Sequence, residues 1–130
     1  MIMQDVGHQL FTDSVETECK LGTKTVDNAC VDEALSMLSL NKLKNRHPLS
    51  LSGGQKQRLS VACALLSGRN ILIFDEPTSG LDGYHADILA KAFLDAAACG
   101  KTIIIITHDF ELITACCSSE IVLEGEAQTK

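Results

Sequence analysis

Two short aliphatic runs separated by one helical stretch constrain this chain more than any other feature. Ile71-Leu72-Ile73-Phe74 ends in Asp75-Glu76-Pro77, and Thr102 to Thr107 repeats the aliphatic pattern about 30 residues later. Continuous apolarity, rather than alternation, is what a strand covered on both faces needs. Between the runs, Ile88, Leu89, Ala92, Phe93 and Ala96 recur at helical spacing until Gly100 stops them. Strand, helix and strand in that order predict a parallel crossover, and so an α/β fold whose ligands gather beyond the carboxyl ends of the strands. Asp75, Glu76 and His108 all fall at those ends.

Upstream, Leu59, Ala62, Cys63 and Leu66 follow i, i+3, i+4, i+7, predicting an amphipathic helix. It starts at the glycine pair Gly53-Gly54 and ends near Ser67-Gly68. Val31, Leu35 and Leu38 predict another helix over about 27–40, and the chain changes character at His47-Pro48. Ile121-Val122-Leu123 reads as a short final strand before a polar tail.

Composition narrows the function. At 130 residues and 45% hydrophobic, the chain is one domain or part of one. A formal charge of -6, from 17 acidic and 11 basic side chains, argues against a protein that binds by neutralising nucleic-acid phosphates. The local cluster Lys42, Lys44, Arg46 and His47 is too short and interrupted to outweigh that balance and reads as a solvated loop. The longest uninterrupted aliphatic run, Ile103 to Ile106, falls far short of the roughly 20 residues a membrane-crossing helix needs. Nothing at the N-terminus marks the chain for secretion, so a cytoplasmic location is expected. The six cysteines form no C-x-x-C pair and are expected to be reduced, with Cys63 and Cys99 acting as small buried apolar groups.

Chemistry concentrates in two segments. Leu51-Ser52-Gly53-Gly54-Gln55 lies immediately before Lys56-Gln57-Arg58 at a helix start. Two glycines let the backbone approach a ligand closely, and the free amides and positive dipole end of a helix attract phosphate oxygens. Ser52 adds a hydroxyl. Taken alone, the segment reads equally well as a Ser-Gly-Gly turn with a helix cap. About 20 residues downstream, Asp75 and Glu76 stand at the mouth of a strand. A hard cation such as Mg²⁺ on nucleotide phosphates would satisfy Asp75 and leave Glu76 to orient or deprotonate a water. Taken alone, these acids read as helix-capping residues before Pro77.

Together the segments resemble the ABC ATPases. The chain carries their signature sequence LSGGQ at 51–55, a Walker B strand, ILIFDE, at 71–76, and the D-loop-like stretch Ser79 to Asp82. Thr107-His108-Asp109 resembles the family's switch histidine, and Gln4 its Q-loop glutamine. These landmarks occur in family order over nearly the whole chain. The resemblance implies a partial P-loop NTPase fold, with a parallel sheet flanked by helices and a small helical subdomain. Residues 1–18 would form the Q-loop region, 19–50 the helical subdomain, and 51–130 the signature helix, Walker B, D-loop, H-loop and end of the core.

By the same resemblance, Asp75 and Gln4 hold Mg²⁺, Glu76 is the catalytic carboxylate, and His108 contacts the γ-phosphate and attacking water. Ser52, Gly53, Gly54, Gln55, Gln4 and Asp82 would bind nucleotide, with the signature of one subunit closing on ATP held by the other in a head-to-tail dimer. Gln9-Leu10-Phe11 is similar to the Q-loop of energy-coupling factor importers, which take up vitamins and metal ions. That implies a transmembrane partner and a place on the inner face of the cell membrane.

No G-x-x-x-x-G-K-[ST] loop occurs in the chain, although that loop cradles phosphate in P-loop enzymes. The chain begins almost at the Q-loop, so the earlier strands and the adenine-stacking aromatic are expected to lie outside it. Strand edges and apolar surface covered in a full domain should then be exposed. Negligible ATPase activity is expected of the 130 residues alone. Two other readings stay open: a short non-catalytic module that regulates a full-length ATPase, and part of a soluble ABC ATPase acting in repair or translation.

Overall fold

A computed structural model of the chain describes residues 13–21 and 27–122. Gln4, Gln9-Leu10-Phe11 and Leu123 lie outside the described residues. The elements run α1 (Val15–Lys20), α2 (Asn28–Met37), 3₁₀ turns at Asn41–Leu43 and Pro48–Ser50, α3 (Gly53–Leu66), β1 (Ile71–Asp75), α4 (Gly83–Ala98), β2 (Thr102–Ile106) and α5 (Phe110–Cys116).

The expected crossover is present. β1 and β2 pair in parallel from Ile71 opposite Thr102 to Asp75 opposite Ile106, and α4 connects them. Packing α4 on β2 sets Phe93 against Phe74 with ring centroids 4.8 Å apart, and both rings are buried. Gly100, at φ 98°, closes α4 as its sequence position predicts, with Gly100 N and Lys101 N donating to Ala97 O and Ala96 O.

The expectation of strands buried on both faces is not met. Leu72 and Phe74 are buried, but on the opposite face Ile71 is 61% exposed, Ile104 45% and Ile106 48%. Their apolar composition suits two-sided burial, but the described helices cover one face only. Exposed apolar surface was expected, and it takes this form. Ile121 and Val122 form no strand; both are irregular and exposed. Among the described residues the sheet consists of β1 and β2, and neither pairs with Ile121 or Val122.

α3 forms over the predicted span, but it is not amphipathic. Residues 57–62 are buried on every side, polar Gln57, Arg58 and Ser60 included, because α1 and α2 pack on it while Gln57 reaches the loop after β1. α2 ends sooner than the predicted 40. Ser39 turns left-handed at φ 58°, and Ser39 N and Leu40 N donate back to Ser36 O and Leu35 O. That 6→1 and 5→2 pattern is normally made with glycine at the turn, and buried Leu35 and Leu40 supply its apolar contact. Within the expected solvated loop, Lys44 pairs with Asp32 at 2.7 Å, so that cation is partly engaged. All six cysteines are free. Cys63 is half-buried and its thiol is pushed well up, by a hydrogen bond with Cys19 and then by burial. Cys99 is exposed as the C-cap of α4, against the expectation of burial.

Candidate functional site

Ser52 is the N-cap of α3, and its hydroxyl oxygen accepts from Gln55 N at 3.2 Å while Gln55 Oε1 accepts from Ser52 N at 2.9 Å. This reciprocal capping box is the ordinary reading of a Ser-Gly-Gly start, and it leaves chemistry to spare. Ser52 uses its oxygen and keeps its hydroxyl hydrogen, while the first-turn amides of Gly53 and Gly54 stand outside the helical ladder. The side chain of Asp82 caps α4 in the same manner, accepting from His85 N at 2.9 Å and from the His85 ring Nδ1 at 2.8 Å. The His85 amide, chiefly, holds the Asp82 carboxyl below its ordinary range.

These two helix starts face one open cleft of about 500 Å³, where Ser52, Gly54 and Gln55 meet Leu81, Asp82 and His85. Arg58 and Ser39 also line it. The approach is close: a Cβ on Gly54 would stand 3.1 Å from Leu81 Cδ2, so a larger residue fits there only if the Leu81 side chain gives by a few tenths of an ångström.

The acids occupy a different place. Asp75 ends β1, half-buried, and its carboxylate makes no hydrogen bond or ion pair with the described residues. Glu76 follows at φ 49°, a left-handed setting that a non-glycine residue adopts under strain. Its amide donates to Ile106 O at 2.7 Å, which carries the sheet register one step past the strand. One carboxylate oxygen accepts from Thr107 Oγ1 at 3.3 Å, and the other lies 3.6 Å from His108 Nε2. His108 is 99% exposed. Among the sequence candidates, Glu76 and His108 are thus brought together, Asp75 stands beside them in sequence, and Ser52, Gly54, Gln55 and Asp82 form the separate cleft. Gly53 is exposed at the helix start, outside the cleft lining.

Sequence reasoning missed the residues that hold this geometry. Gln57 Nε2 donates to Pro77 O at 2.9 Å, pinning the loop after Glu76 to the signature helix. Thr78 Oγ1 donates to Asp109 Oδ2 at 2.8 Å, joining that loop to the N-cap of α5. The Thr78 hydroxyl, foremost, holds Asp109 below the usual carboxylate range. Polar residues inside an apolar helix are the only signal that would have pointed to Gln57.

Asp75 fits a hard cation. Mg²⁺ typically takes one or two carboxylates and completes its shell with waters and phosphate oxygens. Among the described residues, no group of three or more His, Cys, Asp or Glu could hold an ion unaided, so phosphate oxygens would have to contribute.

The ABC transporter family model matches residues 1–79. The chain belongs to this family. A putative ABC transporter ATP-binding protein of Treponema denticola is 58% identical over 125 residues, spanning 96% of the chain and 26% of that protein. Among solved structures, cbiO1 from Clostridium perfringens, part of the ABC transporter complex cbiONQ, superposes with a TM-score of 0.71. It is 34% identical, over 87% of this chain and 48% of that one. The dimeric bacterial ABC transporter cassette MJ0796 gives 0.64 at 28% identity, over 78% and 47%. The chain therefore spans about a quarter of its curated relative's length and about half of single solved cassettes. The fold is that of the ABC ATPase domain, a P-loop NTPase fold with helices on a parallel sheet, represented in part. Among the described residues of this ABC-family chain, no helix is long and apolar enough to cross a membrane.

Proposed function

We propose that this chain is the signature-bearing part of an ATP-hydrolysing subunit of an energy-coupling factor type importer. In this reading it clamps a nucleotide held by a second ABC ATPase subunit. The observation that carries the reading is the separation of the two clusters. Ser52, Gly54 and Gln55 share an open cleft with the Leu81-Asp82 loop, and the acids gather elsewhere, at the strand ends. A site split in this way serves two nucleotides in a head-to-tail dimer better than one nucleotide in a single chain.

At the start of α3, the Gly54 amide and the Ser52 hydroxyl, which line the cleft, and the Gly53 amide beside it bind γ-phosphate oxygens, aided by the dipole of the helix. Ser79 to Asp82 crosses to the partner and couples the two sites. Asp75, at the end of β1, would hold Mg²⁺ together with Gln4, which lies outside the described residues, and the ion would neutralise phosphate charge. Glu76 orients the attacking water and takes its proton. His108, exposed beside Glu76, reaches the γ-phosphate. Because the 130 residues contain no phosphate-binding loop sequence, they hydrolyse ATP negligibly by themselves.

The proposed importer type draws support from Gln9-Leu10-Phe11 and from the likeness to cbiO1. On this reading the Q-loop and the helical segment after it, at about 27–40, meet a transmembrane subunit. The protein works peripherally on the inner face of the cell membrane, and its cargo is a vitamin or metal ion.

Mixing the chain with an intact ABC ATPase subunit tests the proposal. Co-elution that needs ATP and Mg²⁺ and disappears in Ser52→Arg is expected. Co-elution indifferent to ATP would sink the clamp, and phosphate release by the chain alone, abolished in Glu76→Gln, would sink its predicted inactivity. Pulldown of a transmembrane subunit, lost when Gln9 to Phe11 are altered, is the expected sign of importer coupling.

A further inference from the structure

Arg58 lies in the second turn of α3 and is 5% exposed. A buried guanidinium normally faces a carboxylate. Here Nη1 donates instead to two backbone carbonyls, Leu38 O at 2.8 Å and Ser39 O at 3.4 Å, and Nε makes no hydrogen bond among the described residues. Both acceptors belong to the C-terminal turn of α2, a helix with no basic residue in its own last turn. A helix C-terminus favours a cation, and α3 supplies this one from outside. The turn it holds is the strained one, with Ser39 at φ 58° where glycine is the usual residue. Arg58 and Ser39 also both line the signature cleft, beside Ser52 and Gln55 and in the field of the Asp82 carboxylate.

We infer that Arg58 is a positioning residue that locks the C-terminal turn of α2 to the signature helix, so that the setting of α2 fixes where the signature amides stand in the cleft. The inference deepens the nucleotide-clamp reading and rests on it. α2 lies in the segment proposed to meet the transmembrane subunit, and a shift of that helix reaches the signature helix through this guanidinium on two carbonyls as well as through the packing of α2 on α3. Lysine substitutes poorly, because a point ammonium lacks the rigid planar fork that holds a fixed direction.

Two measurements on Arg58→Met, Arg58→Lys and Arg58→Met with Ser39→Gly test this. The first is the ATP concentration for half-maximal association with the intact ATPase subunit. It should rise about tenfold in Arg58→Met, within the usual range of coupling between sites, and somewhat less in Arg58→Lys. Adding Ser39→Gly should restore the melting midpoint by relieving the left-handed turn, without restoring the ATP requirement. The second is hydrogen exchange of the chain without nucleotide, in which Leu38 to Leu40 and Gln55 to Lys56 should loosen together in Arg58→Met while β1 is unchanged. Faster exchange at the end of α2 alone, or recovery of both properties by Ser39→Gly, would overturn the inference and leave Arg58 a cap. If the unaltered chain shows no ATP-dependent association while the two segments still loosen together, the clamp reading fails and the mechanical link stands.

Discussion

Glu76 combines a proposed catalytic role with a backbone that glycine would adopt more easily, and its replacement makes the sharpest test of the geometry. At φ 49° the backbone holds Glu76 in a left-handed setting that costs an L-residue roughly 1–2 kcal/mol. Glu76→Gly removes that strain and keeps the backbone bonds to Ile106 O and Gln57 Nε2. It loses the Thr107 hydrogen bond at 3.3 Å, a loss of about 0.5–1.5 kcal/mol. The His108 contact adds little, since an exposed ring is screened by water and salt. Glycine also raises the unfolded chain's entropy, at about 0.4–1 kcal/mol. The terms nearly cancel, so Glu76→Gly should unfold within about 1 kcal/mol of the unaltered chain. Glu76→Val loses the same hydrogen bond but keeps and worsens the strain, and should be destabilised by roughly 2–3 kcal/mol. Urea unfolding with a shared m-value measures both. If the glycine variant proves no more stable than the valine variant, the left-handed strain at Glu76 is not real.

Gly54→Ala should weaken ATP-dependent association, because its Cβ would press on Leu81 Cδ2 at 3.1 Å. Leu81→Ala in the same chain should recover about 1 kcal/mol of the loss, whereas additive losses in the association titration would contradict the contact. For pH dependence, Asp109 has a folded pKa held below its ordinary value of about 3.9, chiefly by the Thr78 hydroxyl. Its stabilising contribution is therefore complete above that ordinary value and lost as pH falls through the lower folded one. Melts across the acid range should show Asp109→Asn losing less stability than the unaltered chain between about pH 5 and pH 2; parallel profiles would count against the Thr78–Asp109 link.

Local chemistry made much of this molecule legible. The crossover was readable because the Ile71 and Thr102 runs and the Ile88 to Ala96 stripe each carry one unambiguous period, and Gly100 ends α4 where only a left-handed residue fits. The Ser52–Gln55 cap was readable for the same reason, since its partners are three residues apart. The end of α2 was misjudged because a serine, rather than glycine or proline, makes the left-handed turn at Ser39, and no local preference announces that. Cys99 was misjudged because its alanine-rich neighbourhood suits burial, while among the described residues it is left exposed at the end of α4.

The sequence by itself determined the family, the order of the motifs and which residues carry charge or a flexible backbone, since these depend on residue type and spacing along the chain. Only the tertiary structure decided that the signature cleft and the acids at the strand ends are separate places, that Gln57 and Arg58 are buried to hold backbone oxygens, and that the described helices cover one face of the sheet and leave the other exposed. Each of these depends on which distant elements meet. Arg58 and Ser39 are brought together by the packing of α2 on α3, and periodicity within either helix holds no information about its partner across the interface.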